Sequence, residues 1–478
     1  MNLKTRSHGA MTGTAAKATT RWRNVTNRVK ARYFTAPLSL KSRAGYFAAS
    51  AAAIVTIGVG LLAIPWEVPQ WLYLTCILGF VLLLVVVTEL SHRNQSNRYY
   101  TVPDEAVRHA SSMRVIEAAR RSTRHDVISF NAAGPTSGTG ETEYFTTDPE
   151  VNLALATHAN EIAVRLFKPE FALPEELAPW VPSLTNELIA SARDATLFNG
   201  RNVRLMTSLR GTTREVSVQP VRYFDYRFSN CQVYHRFRSS RPTEDVFDPL
   251  TLMLSRPTTG NDEQLREHED GTLADPIGAS TLVITQDHYL IIARQGIRSA
   301  TNPGRFAPSG SGSVDLTDFE ALTLDQSTLE GLIKNAAERE FLEEIGLTPK
   351  HNQPLWTDLM GRMETRVFGY ARILAYGGKP DFFALTKLRR AADRVLEHGA
   401  KNREEIAGLM LSSGRVKLPT DGLDGVIEAL ASYREDLDQE GDKGRLESIQ
   451  LGIMRHILSA LSREGSHDLD AWLKTNST

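Results

Sequence analysis

The spacing of hydrophobic and polar positions divides this chain into stretches of different kinds. Tyr46 to Pro65 is twenty residues without a charge, and Trp71 to Thr88 is eighteen. At about 1.5 Å per helical residue, each is long enough for the ~30 Å hydrocarbon core of a bilayer. Only Trp66-Glu67-Val68-Pro69-Gln70 lies between them, with Trp66 and Trp71 placed for an interfacial belt. The pattern predicts a two-helix transmembrane hairpin over 46–88. Arg32, Lys41 and Arg43 precede it and Arg93 and Arg98 follow it, so the positive-inside rule puts both termini in the cytoplasm. A helix is then expected from Pro103 to Arg121, with Asp104 near its start and Val107, Met113, Ile116 and Ala119 as its packing stripe.

From Asn202 the period shortens toward two, the spacing of strands. Val203 to Met206 and Glu215 to Val218 are expected strands, and Ser280 to Thr285 with Tyr289 to Arg294 an expected hairpin across Gln286-Asp287-His288. Leu329 to Ile345 reads as one amphipathic helix, with Leu329, Ile333, Ala336 and Ala337 on its apolar face. Val367 to Leu374 is the next strand and Gly377-Gly378-Lys379-Pro380 a turn. Leu423 to Leu437 and Arg445 to Ser462 are further helical patterns.

Composition changes this picture at one end of the chain. Over 478 residues, 41% apolar and 23% charged positions are ordinary for folded protein. The net charge of −1 is uneven, because the first 66 residues carry ten Lys or Arg and no acid, leaving −11 for the rest. Residues 1–45 read as a basic disordered arm suited to anionic lipid, or, on the same composition, as an organellar transit peptide. Cys76 and Cys231 sit in unlike contexts, which disfavours a structural disulfide and suits a reducing compartment. No Cys/His spacing has the form of a zinc site, and Gly134 to Thr142 lacks the Gly-Lys-Ser/Thr of a P-loop.

Candidate chemistry gathers at the end of the Leu329–Ile345 helix. One turn past its apolar face the helix carries Glu340, Glu343 and Glu344, spaced to approach a common point. Crowded carboxylates repel one another unless a cation separates them, and oxygen ligands suit Mg²⁺ or Mn²⁺. Arg339 is placed to pair with Glu343, and Gly346 to end the helix in a left-handed cap. A second concentration is Arg222-Tyr223-Phe224-Asp225-Tyr226-Arg227-Phe228, followed by Tyr234-His235-Arg236-Phe237-Arg238. Arg222, Tyr223, Tyr226 and Arg227 could clamp phosphates and stack bases; equally, the run suits an aromatic-rich strand pair whose arginines meet surface acids.

Arg339-Glu340-Phe341-Leu342-Glu343-Glu344-Ile345-Gly346-Leu347 resembles the second half of the Nudix box, departing only at aromatic Phe341. Upstream, Gly310 and Gly312 stand for its glycine loop, and Asp318 stands where the family has Glu. Twenty residues separate Asp318 from Arg339 where the family has seven, so Phe319 to Thr328 are expected to bulge out. The resemblance covers 245–400 and implies an α/β chain with a Nudix-type α/β/α sandwich around a mixed sheet. It further implies a hydrolase acting on phosphoanhydride bonds, with Glu340, Glu343 and Glu344 holding Mg²⁺ or Mn²⁺. Glu364 would be a general base outside the box, and Arg294, Arg305 and Phe306 would border the ligand pocket with Gly310 and Gly312.

The order of parts adds a second resemblance. A basic arm (1–45), the hairpin (46–88), a juxtamembrane helix (89–121), an α+β middle region (122–244), the Nudix-like domain (245–400) and a helical extension (401–478) resemble the two-transmembrane Nudix effectors of bacterial cyclic-oligonucleotide antiphage signalling (CBASS). That likeness implies a nucleotide or cyclic oligonucleotide ligand, a homo-oligomer acting on the lipid bilayer of the bacterial inner membrane, and no duplex nucleic acid. Three classes stay open: a nucleotide-gated membrane effector, a membrane-bound Mg²⁺-dependent pyrophosphohydrolase cleaving a nucleoside diphosphate linked to another group, and a protein-binding scaffold.

Overall fold

The computed structural model describes residues 98–102, 104–121, 125–131, 142–191, 199–240, 247–256, 262–295, 305–323, 327–395, 410–439 and 447–475, with isolated positions at 75–94 and 397. The basic arm, most of the expected hairpin and most of Gly134 to Thr142 lie outside these residues. Among the described residues no helix is long and apolar enough to cross a membrane. This finding overturns the two-helix transmembrane hairpin and the multi-pass membrane localisation built on it. The long helices described end to end, such as Glu105–Arg120, Leu329–Glu344 and Leu423–Gln439, each carry several charged residues, which a bilayer-spanning run of about 20 apolar residues does not.

The chain forms two compact units. Of the described residues, the smaller takes in those up to 108, 172–191 with 199, and 234–240 with 247–249. In it Tyr99–Val102 pairs antiparallel with Arg236–Ser239, and Trp180 packs among the rings of Tyr99, Phe237 and Phe247.

The larger unit is organised on a nine-stranded mixed sheet. Its strands are β1 (Asp126–Asn131), β2 (Thr142–Thr147), β3 (Gly278–Thr285), β4 (Tyr289–Gln295), β5 (Phe306–Ala307), β6 (Gly310–Ser313), β7 (Met363–Ile373), β8 (Lys379–Leu388) and β9 (Met410–Lys417). They run in the order β5-β4-β3-β8-β7-β2-β1, with β6 on β3 and β9 on β4. Among the described residues of this sheet, β3 and β8 are the one strand pair that runs parallel. The β3–β4 hairpin turns at His288, whose φ of 62° is accommodated as Thr285 Oγ1 donates to Asp287 at 2.7 Å. Two sequence expectations change here. The segment 122–244 contributes β1 and β2 to this sheet, and the helical extension 401–478 contributes β9.

Helices cover both faces of the sheet, which is why its central strands read as unbroken apolar runs such as Leu282-Val283-Ile284 and Phe382-Phe383-Ala384-Leu385. On one face α1 (Pro149–His158) and α2 (Leu329–Glu344) bury Leu155, Leu329, Leu332, Ile333, Ala336 and Ala337 against Ala279, Val367 and Phe382. Farther along α2, Phe341 and Leu342 meet Val283 and Ile291. On the other face α3 (Leu423–Gln439), α4 (Ile449–Glu464) and α5 (His467–Lys474) bury Leu430, Met454, Ile457 and Trp472 against Leu282, Phe368 and Phe383. The helix Glu105–Arg120 replaces the expected stripe in part: Val115, Ile116, Ala118 and Ala119 are buried, whereas Met113 is exposed.

Candidate functional site

Helix α2 begins where the Thr328 hydroxyl accepts from Gly331 N at 3.1 Å. It ends at Gly346, whose φ of 88° lets Leu347 N reach back to Leu342 O at 2.8 Å. Its last turns lie directly on β6. A Cβ on Gly310 would come within 2.5 Å of Phe341 N, and one on Gly312 within 2.0 Å of the Glu340 carboxyl carbon. Gly310 must therefore lack a side chain for helix and strand to approach this closely, whereas at Gly312 the missing side chain leaves the space that the Glu340 carboxyl fills.

Arg339 is the hub of the charged cluster. Its Nε and Nη2 donate to the two oxygens of Asp318, each at 2.9 Å, and Nη2 also donates to Ser313 O at 2.9 Å. Its Nη1 donates to Glu340 at 2.8 Å and to Glu343 at 3.3 Å, while Asp315 stands 4.0 Å away. Asp318 lies on the short helix Leu316–Glu320 and accepts from Asp315 N at 2.8 Å, so its carboxylate is held from both sides. Glu344 stands half-buried as the last residue of α2. Burial, and then the Glu343 charge, raise the Glu340 carboxyl to about 7 against the opposing pull of Arg339. Burial also raises Glu343 and Asp315. For Arg339 burial works the other way, but the hydrogen bond to Asp318 and the Glu340 charge outweigh it and hold the guanidinium charged.

Behind this cluster Glu338 is sealed in the core. It accepts from Thr365 Oγ1 at 2.7 Å, and a chain of hydroxyls continues through Thr386 to Thr281 at 2.8 Å each. Burial raises its carboxyl to about 7, with Lys334 and the Thr365 hydrogen bond acting against the shift. Sequence reading assigned no role to Glu338, although an acid amid the Leu329–Leu342 apolar stripe was a signal. A second buried network also went unread: His268 Nδ1 meets Asp275 at 2.8 Å and Nε2 meets the Tyr370 hydroxyl at 2.9 Å. Burial, and then Arg372, hold His268 below its ordinary value, against the opposing pull of Asp275. All three side chains are buried, and the network braces the interior.

The other candidates fall elsewhere. The indole Nε1 of Trp472 donates to Glu364, tying that carboxylate to the C-terminal helix α5. Phe306 is buried on the face opposite α2, edge-on to Tyr433, with Arg294 over its ring at 5.7 Å. Arg305 donates to Glu143 at 3.2 Å. Arg222 ends a strand and Tyr223–Phe228 is a short helix, with the Phe224 and Phe228 rings meeting one turn apart, tilted at 47°, and Asp225 accepting from Arg222 N at its start. Arg222 pairs with Glu170 at 2.9 Å, and Tyr226 is buried. Residues 236–239 form a strand of the smaller unit.

Among the described residues no group of three or more His, Cys, Asp or Glu side chains is gathered as a metal site. The cation between the carboxylates is the Arg339 guanidinium. In kind, Glu340, Glu343 and Glu344 present only carboxylate oxygen, the donor a hard divalent ion takes, with the Arg339 guanidinium against the first two. Compared with known proteins, the chain matches no family model and no curated protein.

Proposed function

We propose that the larger unit binds a nucleoside diphosphate linked to a second group and hydrolyses its phosphoanhydride bond, as a Nudix-type hydrolase. The observation that carries this reading is the seat of the Glu340 carboxylate on Gly312, in a cluster where one guanidinium serves four acids. Glu340, Glu343 and Glu344 would hold Mg²⁺ or Mn²⁺, which supplies neutralisation of diphosphate oxygens and a more acidic attacking water. Arg339, fixed by Asp318 and Ser313, orients Glu340 and Glu343. Gly310 and Gly312 let the strand backbone lie close to the helix end, where bound phosphates would meet it.

A second reading, a receptor that binds a nucleotide or cyclic oligonucleotide without turnover, is favoured by one observation. Glu364, the candidate base, is already engaged by Trp472. One experiment separates the two. The protein is incubated with Mg²⁺ and a panel of dinucleoside polyphosphates and cyclic dinucleotides, and both product release and melting temperature are measured. Metal-dependent release of mononucleotide, lost in a Glu343→Gln, Glu344→Gln double variant, supports hydrolysis. A ligand-induced rise in melting temperature without release supports the receptor. If neither metal nor nucleotide changes the melting temperature, both readings fail.

A further inference from the structure

The nine-stranded sheet is finished differently at its two margins. On one, β9 pairs with β4 alone, its register shifts between Arg294 and Gln295, and it carries Arg415 and Lys417. A bulge and cationic side chains are devices that keep an outer strand from recruiting another chain. On the other margin β1 pairs with β2 alone, in unbroken register from Asp126 opposite Thr147 to Asn131 opposite Thr142. It has no proline, no bulge and no cation, and its one charge, Asp126, stands at its first position. Asp126 and Ser129 are exposed, and Val127 and Ile128 are half-buried. Among the described residues, the outward row of backbone N–H and C=O groups along β1 has no protein partner. An unprotected margin of this kind is a template for a further strand.

A second copy of the chain brings the same open row. Two copies meet about a two-fold axis, across which residue i faces j and j faces i. An axis perpendicular to the sheet keeps each face on its own side, so only residues that share a face become cross-strand neighbours. Ile128 and Phe130 lie on the face covered by α4, where Phe130 fills the space left by Gly452 (a Cβ there would fall 2.3 Å from Phe130 Cε2). With Ser129 opposite Ser129, Ile128 of each copy falls across from the partner's Phe130, and Val127 across from the partner's Asn131. That register continues the apolar cluster over the seam and covers Ile128, which a single chain leaves half-buried. A shift that sets Ile128 against Ile128 puts the Asp126 carboxylate across from Phe130 instead. We propose that β1 is the seam of a symmetric dimer, in which two copies join margin to margin into one continuous sheet with Ser129 at the axis. The dimer is independent of the chemistry at the Glu340 cluster. Its six-residue strand gives a seam of about 20 Å. That is short for a standard interface, so the dimer dissociates on dilution.

The test is sedimentation velocity of the full chain over a dilution series of about two orders of magnitude in the micromolar range. The expected result is a dimer at the concentrated end that gives way to monomer on dilution. Ser129→Lys sets two like charges against each other at the axis and should raise the dissociation constant at least about tenfold. Ser129 is exposed, so this variant should melt with the parent. A second pair of variants serves if it does not. Under mild oxidation Ser129→Cys should give a covalent dimer, above the background set by Cys76 and Cys231 in the parent. Asp126→Cys, equally exposed, should not, because in this register it lies about 20 Å from its counterpart, well beyond disulfide reach. A parent that stays monomeric throughout overturns the proposal. So does association that Ser129→Lys leaves unchanged, which would place the contact on another surface, or cross-linking of Asp126→Cys as readily as Ser129→Cys.

Discussion

Arg339 holds Asp318 with both arms of its guanidinium fork, Nε and Nη2 each 2.9 Å from a carboxylate oxygen. Both side chains are largely withdrawn from solvent, at 14% and 5% exposure. Removing one partner leaves the other charge buried without compensation. Arg339→Met should therefore lower unfolding free energy by about 3–5 kcal/mol. Asp318→Asn, which keeps the shape and one acceptor, should cost about 1–3 kcal/mol. Urea unfolding midpoints check both; equal, negligible effects would show that the fork bears no load.

The two glycines of β6 predict a contrast. Gly310→Ala meets the backbone of Phe341, which cannot move without shifting α2, so a cost of about 1–3 kcal/mol is expected. Gly312→Ala meets only the end of the Glu340 side chain, which can swing aside. Its stability should change little, while any stabilisation by Mg²⁺ should disappear. Thermal melts with and without Mg²⁺ read out both halves of this contrast.

Glu338 makes stability depend on pH. Its folded value is about 7, above the ordinary carboxyl value of 4.5, chiefly through burial. The folded protein then holds a proton that the unfolded chain has released. The contribution is fully present below about pH 4.5 and is lost as pH rises through 7, with a slope of up to about 1.4 kcal/mol per pH unit between them. Glu338→Gln should flatten the stability profile from pH 5 to 8 and be relatively more stable at the alkaline end. An unchanged slope in this variant would place the titrating proton elsewhere, for instance on Glu340.

Lys387 fastens the C-terminal helix. Its ammonium donates to Trp472 O at 2.7 Å and to Thr475 O and Oγ1 at 3.1 and 3.0 Å, and lies 4.6 Å from the Trp472 ring centre. Lysine at a helix C-terminus satisfies open carbonyls and suits the dipole. Lys387→Met should speed amide exchange across His467–Lys474 and shift Trp472 fluorescence, with a loss of about 1–3 kcal/mol. Exchange confined to its former rate would show that apolar contacts alone dock the helix.

Particular residues show what was readable before the fold was known. The Leu329–Ile345 helix, its Gly346 cap and the β3–β4 hairpin follow from local period and turn chemistry, and the structure has them within a residue or two. The run 222–228 misled, because alternating aromatics with arginines suit a strand until Phe224 and Phe228 find one shared core. Arg339 was assigned to Glu343, its neighbour one helical turn away, yet its stronger partner is Asp318. That pairing depends on how far the inserted residues after Asp318 let the short helix fold back, which no local spacing records.

By itself the sequence determined the elements whose causes lie within a turn or two: the acid-rich end of α2, the glycines that lie on it, and the apolar runs of a sheet buried on both faces. Tertiary structure alone decided who meets whom. It sealed Glu338 beneath Thr365, gave Glu364 to an indole 108 residues later, and joined β2 to β7. The reason is physical: side-chain period is a property of neighbouring dihedrals, whereas charge pairing and burial depend on contacts between segments far apart along the chain.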